Sequence, residues 1–109
     1  MAKMETDEFL KNVDSLYANA ERMQEIIDEI LQTISEINFF GPVAHDYIRN
    51  LSSQKALLNL AMIYASDAHE LERKKDRDTA VMCLSHYNQI LEIILKLDFK
   101  LDEMRKNNG

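Results

Sequence analysis

Apolar residues recur every three or four positions over almost the whole chain, which is the spacing of one face of an α-helix. The first third is the most regular, because its apolar residues alternate four and three positions apart: Phe9, Val13, Leu16, Ala20, Met23, Ile27, Ile30, Ile34 and Ile37. This a/d spacing predicts a first helix over about residues 7–39 that packs along its whole length. Thr6 is placed to cap its N-terminus.

Two further helical patterns follow, over about residues 42–74 and 79–105. The pair Gly41-Pro42 separates the first two helices, since proline disfavours helix in the residue before it and suits the first turn of a new one. The second boundary rests only on a change of register and on Asp76 or Asp78 as an N-cap, because "ELERKKDRD" contains no glycine or proline. One continuous helix from residue 42 to 105 is therefore the alternative.

The predicted fold is a single all-α domain over residues 1–109, an elongated antiparallel helical hairpin extended to a three-helix bundle. The third helix carries more apolar residues than such a bundle needs, namely Ile93, Leu95 and Phe99. Since large exposed apolar patches are usually interfaces, we expect a homodimer or a helical protein partner.

Charge and composition exclude several classes of protein. The chain is acidic, with a formal net charge of −6, and its one basic cluster, "ERKKDR", is interrupted by acids, which argues against nucleic acid as a partner. No apolar run approaches the roughly 20 residues of a membrane span. The N-terminus lacks the apolar block of a secretory signal. We therefore expect a cytoplasmic protein, or one exported without a cleavable signal peptide.

Few residues offer catalytic or metal-binding chemistry. Cys83 and His86 stand three positions apart, and Asp67, His69 and Glu70 form a second group, but no Glu-x-x-His pair of a di-iron bundle is present. Cys83 falls in the apolar pattern of the third helix, where a thiol behaves as a small hydrophobe. The sequence thus predicts no catalytic residue, no metal site and no cofactor. A metal-binding bundle that uses His69, His86 and Cys83 is the remote alternative.

The stretch "NFFGPVAHDY" resembles the turn of the WXG100 (ESAT-6-like) family, in which Trp-x-Gly joins the two helices of a hairpin. Phe39 stands at the tryptophan position, Gly41 and Pro42 fall in register, Ala44 is one of the small residues that follow, and Tyr47 takes the place of a phenylalanine. The similarity covers the turn and, by pattern and length only, the two flanking helices from about residue 9 to 74.

A second feature resembles the aromatic-x-x-x-acid signal that type VII secretion reads near the C-terminus of such proteins. Phe99 and Glu103 have this spacing in the third helix, and residues at i and i+4 share one helix face. Tyr17 and Glu21 also have this spacing, but they lie in the first helix. The third helix itself departs from a two-helix hairpin and points to a diverged relative.

The resemblance implies a non-enzymatic helical interaction protein of type VII secretion, as a substrate, a co-secreted partner or a toxin-targeting chaperone. Its partner would be helical, such as a secreted toxin, or a second copy of the chain. The alternative is a cytosolic homodimeric α-helical adaptor or regulatory module unrelated to secretion, in which the turn is merely structural.

Overall fold

Three long α-helices make up almost all of residues 4–37 and 41–108, the part of the chain that the computed structural model describes. They are α1 (Thr6–Glu36), α2 (Pro42–Arg73) and α3 (Arg77–Asn108). α2 packs against both of the others and runs antiparallel to them. The predicted all-α hairpin extended to a three-helix bundle is confirmed, and the break between α2 and α3 shows that the alternative of one continuous helix is wrong.

The bundle is open rather than triangular. Its principal extents are 53 × 23 × 16 Å. Three helices side by side, with axes 8–10 Å apart and Cα atoms on cylinders of 2.3 Å radius, would measure about 21–25 Å across. No described Cα atom of α1 comes within 8 Å of one in α3. α2 therefore lies between α1 and α3, and one face of each outer helix has no neighbouring helix beside it.

Small side chains let the three helices pack tightly at one end of the bundle. The fully buried residues there include alanines from every helix: Ala20, Ala61, Ala65, Ala68 and Ala80. Tyr87 of α3 is only 1% exposed, and its Oη donates a hydrogen bond of 2.6 Å to the carbonyl oxygen of Leu16 in α1. Tyr87 thus joins the two outer helices at this end, which we call the closed end.

Burial fades along α1 from the closed end to the other. The a/d residues Phe9, Val13 and Ala20 are buried, whereas Ile30 is 38% exposed and Ile37 is 64% exposed. The prediction that α1 packs along its whole length is therefore only partly right for its second half. Ile27 is buried and Leu31 and Ile34 pack against the core, but no other described helix covers Ile30 and Ile37.

A bidentate ion pair ties all three helices together at the closed end. Arg77 donates from Nε to Oε1 of Glu72 at 2.5 Å and from Nη2 to Oε2 at 2.7 Å. Arg77 also donates to the carbonyl oxygen of Met4 at 2.8 Å, and its guanidinium lies 4.3 Å from the centroid of the Phe9 ring. Paired in this way, the Glu72 carboxylate can be buried without leaving an uncompensated charge.

Thr6 does not cap α1 as predicted. The N-cap is Glu5, which makes no side-chain capping hydrogen bond, and Thr6 is already in the first turn. The Thr6 side chain instead helps to hold the pKa of the Glu72 carboxyl below its ordinary value, after the larger effect of Arg77.

The turn between α2 and α3 is a Schellman motif without glycine. The amide of Asp76 donates to the carbonyl of Leu71, that of Lys75 donates to Glu72, and Lys75 has φ of 65°. Asp76 then caps α3, because its Oδ1 accepts the amide of Thr79 at 3.2 Å. The prediction of an aspartate N-cap at this boundary is confirmed for Asp76.

Replacing Lys75 by glycine should stabilise the protein. A left-handed conformation costs a residue with a Cβ roughly 1–2 kcal/mol, and the greater freedom of glycine in the unfolded chain offsets about 0.5–1 kcal/mol of that gain. We therefore expect Lys75→Gly to raise the free energy of unfolding, measured by urea denaturation. The matched variant Lys74→Gly, at φ of −85°, should lower it. Equal losses in both variants would contradict the motif.

The closed end should make stability depend on pH below neutrality. The hydrogen bond from Arg77, supported by Thr6, holds the pKa of Glu72 below its ordinary value. A depressed pKa contributes stability above the unfolded carboxyl's pKa of about 4.3, and this contribution is lost as pH falls through the folded pKa. We expect Glu72→Gln to be less stable than the wild type at pH 7 and to lose less stability on acidification.

The control for this measurement is Glu70→Gln, whose exposed carboxylate reaches Lys74 only at 3.9 Å. Thermal melts of the three proteins between neutral and acidic pH would test the assignment. It would be wrong if the difference between wild type and Glu72→Gln stayed constant over that range.

Candidate functional site: an apolar cleft between α1 and α3

An apolar cleft opens between α1 and α3 at the end of the bundle opposite Tyr87. Its larger part, about 560 Å³, lies where α1 ends and α2 begins. This part is lined by residues of all three helices: Glu29, Ile30, Thr33, Ile34, Ile37, Val43, Tyr47, Met104 and Arg105. Most of these side chains are apolar, and Ile30 and Ile37 are exposed. The cleft therefore exposes apolar surface to water, which is energetically unfavourable.

The cleft continues toward the middle of the bundle. The second part, about 390 Å³, shares Ile30, Tyr47 and Arg105 with the first. It adds Met23 and Ile26 from α1, and its floor is formed by the buried face of α2. The two parts together form one groove, which we call the α1–α3 cleft.

A polar network fixes the floor of the cleft against α3. The Gln54 amide, which is buried, donates to Oδ1 of Asn50 at 2.9 Å and to Oδ1 of Asp98 at 3.0 Å. Asn50 in turn donates to the carbonyl of Leu97 at 3.0 Å. Because buried amides must be hydrogen-bonded, this network selects one register of α2 against α3.

Another set of polar contacts positions α1. The Gln24 amide donates to the carbonyl of Lys55 at 3.1 Å, and the Lys55 ammonium lies 2.6 Å from Oδ1 of Asp28. Both contacts lie on the side of α1 that faces α2. The stripe of Met23, Ile26 and Ile30 is thereby held toward the cleft.

Acidic residues are concentrated on α1. This helix contains eight acidic and two basic residues, a net charge of −6, which equals the formal net charge of the chain. α3 has five of each sign and is neutral. At the cleft itself, Glu29, Asp98 and Asp102 accompany one basic residue, Arg105, which is paired with Asp102. The cleft is therefore apolar in the centre and acidic at the edges.

The turn residues singled out in the sequence lie at one end of the cleft. Gly41 is the N-cap of α2, with φ of 114° and ψ of 179°, a conformation essentially restricted to glycine. Pro42 is the first residue of α2, and Ala44 is buried. Tyr47 lines both parts of the cleft. Phe39 lies outside the described residues.

Phe99 and Glu103 lie away from the cleft. Phe99 is 65% exposed, as is its neighbour Leu95 at 66%, and Glu103 is exposed as well. None of the three lines the α1–α3 cleft. The structure thus places the turn and the C-terminal pair on two separate surfaces.

The histidines and the cysteine do not converge. His69 lies 3.5 Å from Asp14 of α1, whereas the His86 ring stacks on Tyr64 with centroids 5.0 Å apart. Burial, with a smaller contribution from Asp67, raises the pKa of the Cys83 thiol, which disfavours the nucleophilic thiolate. Among the described residues, no group of three or more histidine, cysteine, aspartate or glutamate side chains could hold a metal ion.

Sequence reasoning did not identify the cleft-lining residues as a site. The a/d spacing of α1 places Ile30 and Ile34 in a packed helix face, and of the cleft-lining residues sequence reasoning singled out only Tyr47, as part of the turn. The available signal was the length and breadth of the apolar pattern. Three helices with such broad apolar faces cannot bury all of that surface against each other, so part of it must stay exposed.

Comparison with protein-family models, with curated proteins and with solved structures gave no match for this chain. The described helices contain no segment with the length and hydropathy to cross a membrane. The α1–α3 cleft, the turn and the exposed C-terminal pair are therefore the features on which a functional proposal can rest.

Proposed function

We propose that this protein is a non-enzymatic interaction protein that binds a helix of a partner protein in the α1–α3 cleft. The main observation behind the proposal is that two apolar side chains of the cleft, Ile30 and Ile37, are exposed to solvent. Helix-in-groove recognition places an apolar helix face in such a groove, with anchors one or two turns apart.

The arrangement of the three helices supports this proposal. In a four-helix bundle each helix contacts two neighbours around a shared core. Here α1 and α3 both contact α2. The cleft lies between α1 and α3, where a four-helix bundle would have its fourth helix, diagonally opposite α2. A helix with its side chains is about 10–12 Å in diameter. A partner helix at that position would complete the bundle and cover the exposed isoleucines.

The lack of convergent chemistry supports a binding role over an enzymatic one. The larger part of the cleft is lined chiefly by isoleucine, valine, methionine and tyrosine, with Arg105 and Glu29 at its edge. A nucleophile would need a base within hydrogen-bond reach, and Cys83, the one thiol, does not line the cleft.

We further propose that the interaction serves type VII secretion, as a substrate, co-secreted partner or toxin-targeting chaperone. The support is the resemblance of the turn at Gly41 and Pro42 to the WXG100 family, together with Phe99 and Glu103. An aromatic ring that is 65% exposed is available for recognition by another protein. The competing proposal, a cytosolic homodimeric adaptor, would fill the same cleft with a second copy.

A photo-crosslinking residue can test whether the cleft is occupied in cells. With p-benzoylphenylalanine at position 30, irradiation should give a crosslinked species that mass spectrometry assigns to a helical segment of another protein. Position 63 is the matched control, because Ile63 is also exposed but lies outside the cleft. A crosslink to the same chain would favour the adaptor, and equal labelling at positions 30 and 63 would overturn the proposal.

The secretion role predicts that Phe99→Ala and Glu103→Ala each reduce export of the protein and of its partner. Both residues are exposed, so the variants should keep the melting temperature of the wild type. Tyr17→Ala and Glu21→Ala are matched controls, because this exposed pair has the same spacing in α1. Immunoblots of culture medium and cells measure the effect. Unchanged export in the first pair would contradict the role in secretion and leave the helix-binding proposal standing.

A further inference from the structure

We infer that the occupant of the α1–α3 cleft is a basic amphipathic helix: about four turns of a partner protein, with an apolar stripe flanked on both sides by lysine or arginine. This inference rests on the proposed helix-binding function and adds the chemistry of the ligand. It follows from the length of the cleft, its charge and the charges of the chain's own helices.

The length follows from α1. Cleft-lining residues run from Met23 to Ile37, which spans about 21 Å at 1.5 Å per residue. A partner helix of about 14 residues matches this span. Four apolar residues of this part of the chain are partly exposed: Met23, Ile26, Ile30 and Ile37. A partner helix with apolar residues at positions i, i+3, i+7 and i+10 or i+11 would cover them.

The charge follows from the carboxylates that line the cleft. Glu29, Asp98 and Asp102 line it together with one basic residue, Arg105, an excess of two negative charges. The other acidic residues of α1 between positions 21 and 36 do not line the cleft, and two of them are paired, Glu25 with Arg22 and Asp28 with Lys55. Across the cleft, Asp98 accepts a hydrogen bond from Gln54, and Asp102 pairs with Arg105 within α3. Positive side chains on the edges of a docked helix would meet this excess of carboxylates, which favours association and fixes orientation.

A second copy of the chain meets this requirement poorly. α1 has a net charge of −6, α2 has four acidic and three basic residues, and α3 is neutral. None of the three helices thus carries a net positive charge. In an isologous dimer the same patch would face itself, so two acidic α1 helices would approach each other, and like charges across an interface are costly.

Two synthetic helices can test the inference directly. Both would be 21-residue peptides with the same leucine stripe, one flanked by lysines and the other by glutamates, each labelled for fluorescence anisotropy. We expect the lysine peptide to bind at least about tenfold more tightly, equivalent to ~1.4 kcal/mol. Raising the salt concentration should reduce this difference, because the flanking charges remain near solvent.

Variants of the protein separate the two parts of the interaction. Ile30→Ser should weaken binding of the lysine peptide by removing apolar contact, and circular dichroism would check that the fold is kept. Glu29→Lys should weaken binding of the lysine peptide and strengthen that of the glutamate peptide. Glu70→Lys makes the same change of charge outside the cleft and should leave both affinities unchanged.

The outcomes distinguish this inference from the function on which it rests. Equal or tighter binding of the glutamate peptide would overturn the basic-helix inference while leaving the cleft as a helix-binding site. Binding of neither peptide, or binding that survives Ile30→Ser, would overturn both. Light scattering supplies the last outcome: a dimer that must dissociate before the lysine peptide binds would show that the second copy is the occupant.

Discussion

The structure depends on the close packing of α1 and α3 against the alanines of α2 at the closed end. Ala61, Ala65 and Ala68 have no exposed surface, and side chains of this size allow helix axes to approach closely. Tyr87 can then reach across α2 to the backbone of Leu16, and Arg77 can reach Phe9 and Met4. Each of these longer contacts requires the approach that the alanines permit.

The larger residues at the opposite end have the reverse effect. Tyr47, Leu51 and Gln54 occupy the face of α2 where alanines stand at the closed end. α1 and α3 leave a cleft above them instead of meeting. Exposed apolar surface forfeits roughly 25 cal/mol per Å² of the stabilisation that burial would give. In the proposed complex a partner helix would bury this surface, and the stabilisation would then belong to the complex.

Periodicity predicted the three helices, and Gly41-Pro42 and an aspartate N-cap predicted their boundaries, because these are local signals with a direct physical cause. Periodicity could not say which apolar residues meet another part of the same chain. Ile27 and Ile30 belong to one a/d pattern, yet the first is buried and the second is 38% exposed. The turn at Lys75 lacked a signal because a lysine takes the left-handed position that glycine usually fills. Thr6 had a capping signal, but α1 begins one residue earlier than predicted, so that Glu5 is the N-cap and Thr6 lies in the first turn.

Lys55 limits how far the two outer helices can move apart. Arg77 holds α1 at Phe9, and the contacts of Gln24 and Asp28 with Lys55 hold α1 again about halfway along its length. Only about 14 Å of helix lies between Asp28 and Ile37, so a rotation of about 5° beyond Asp28 would displace Ile37 by only about 1 Å. The width of the α1–α3 cleft is therefore set mainly by contacts within the chain itself.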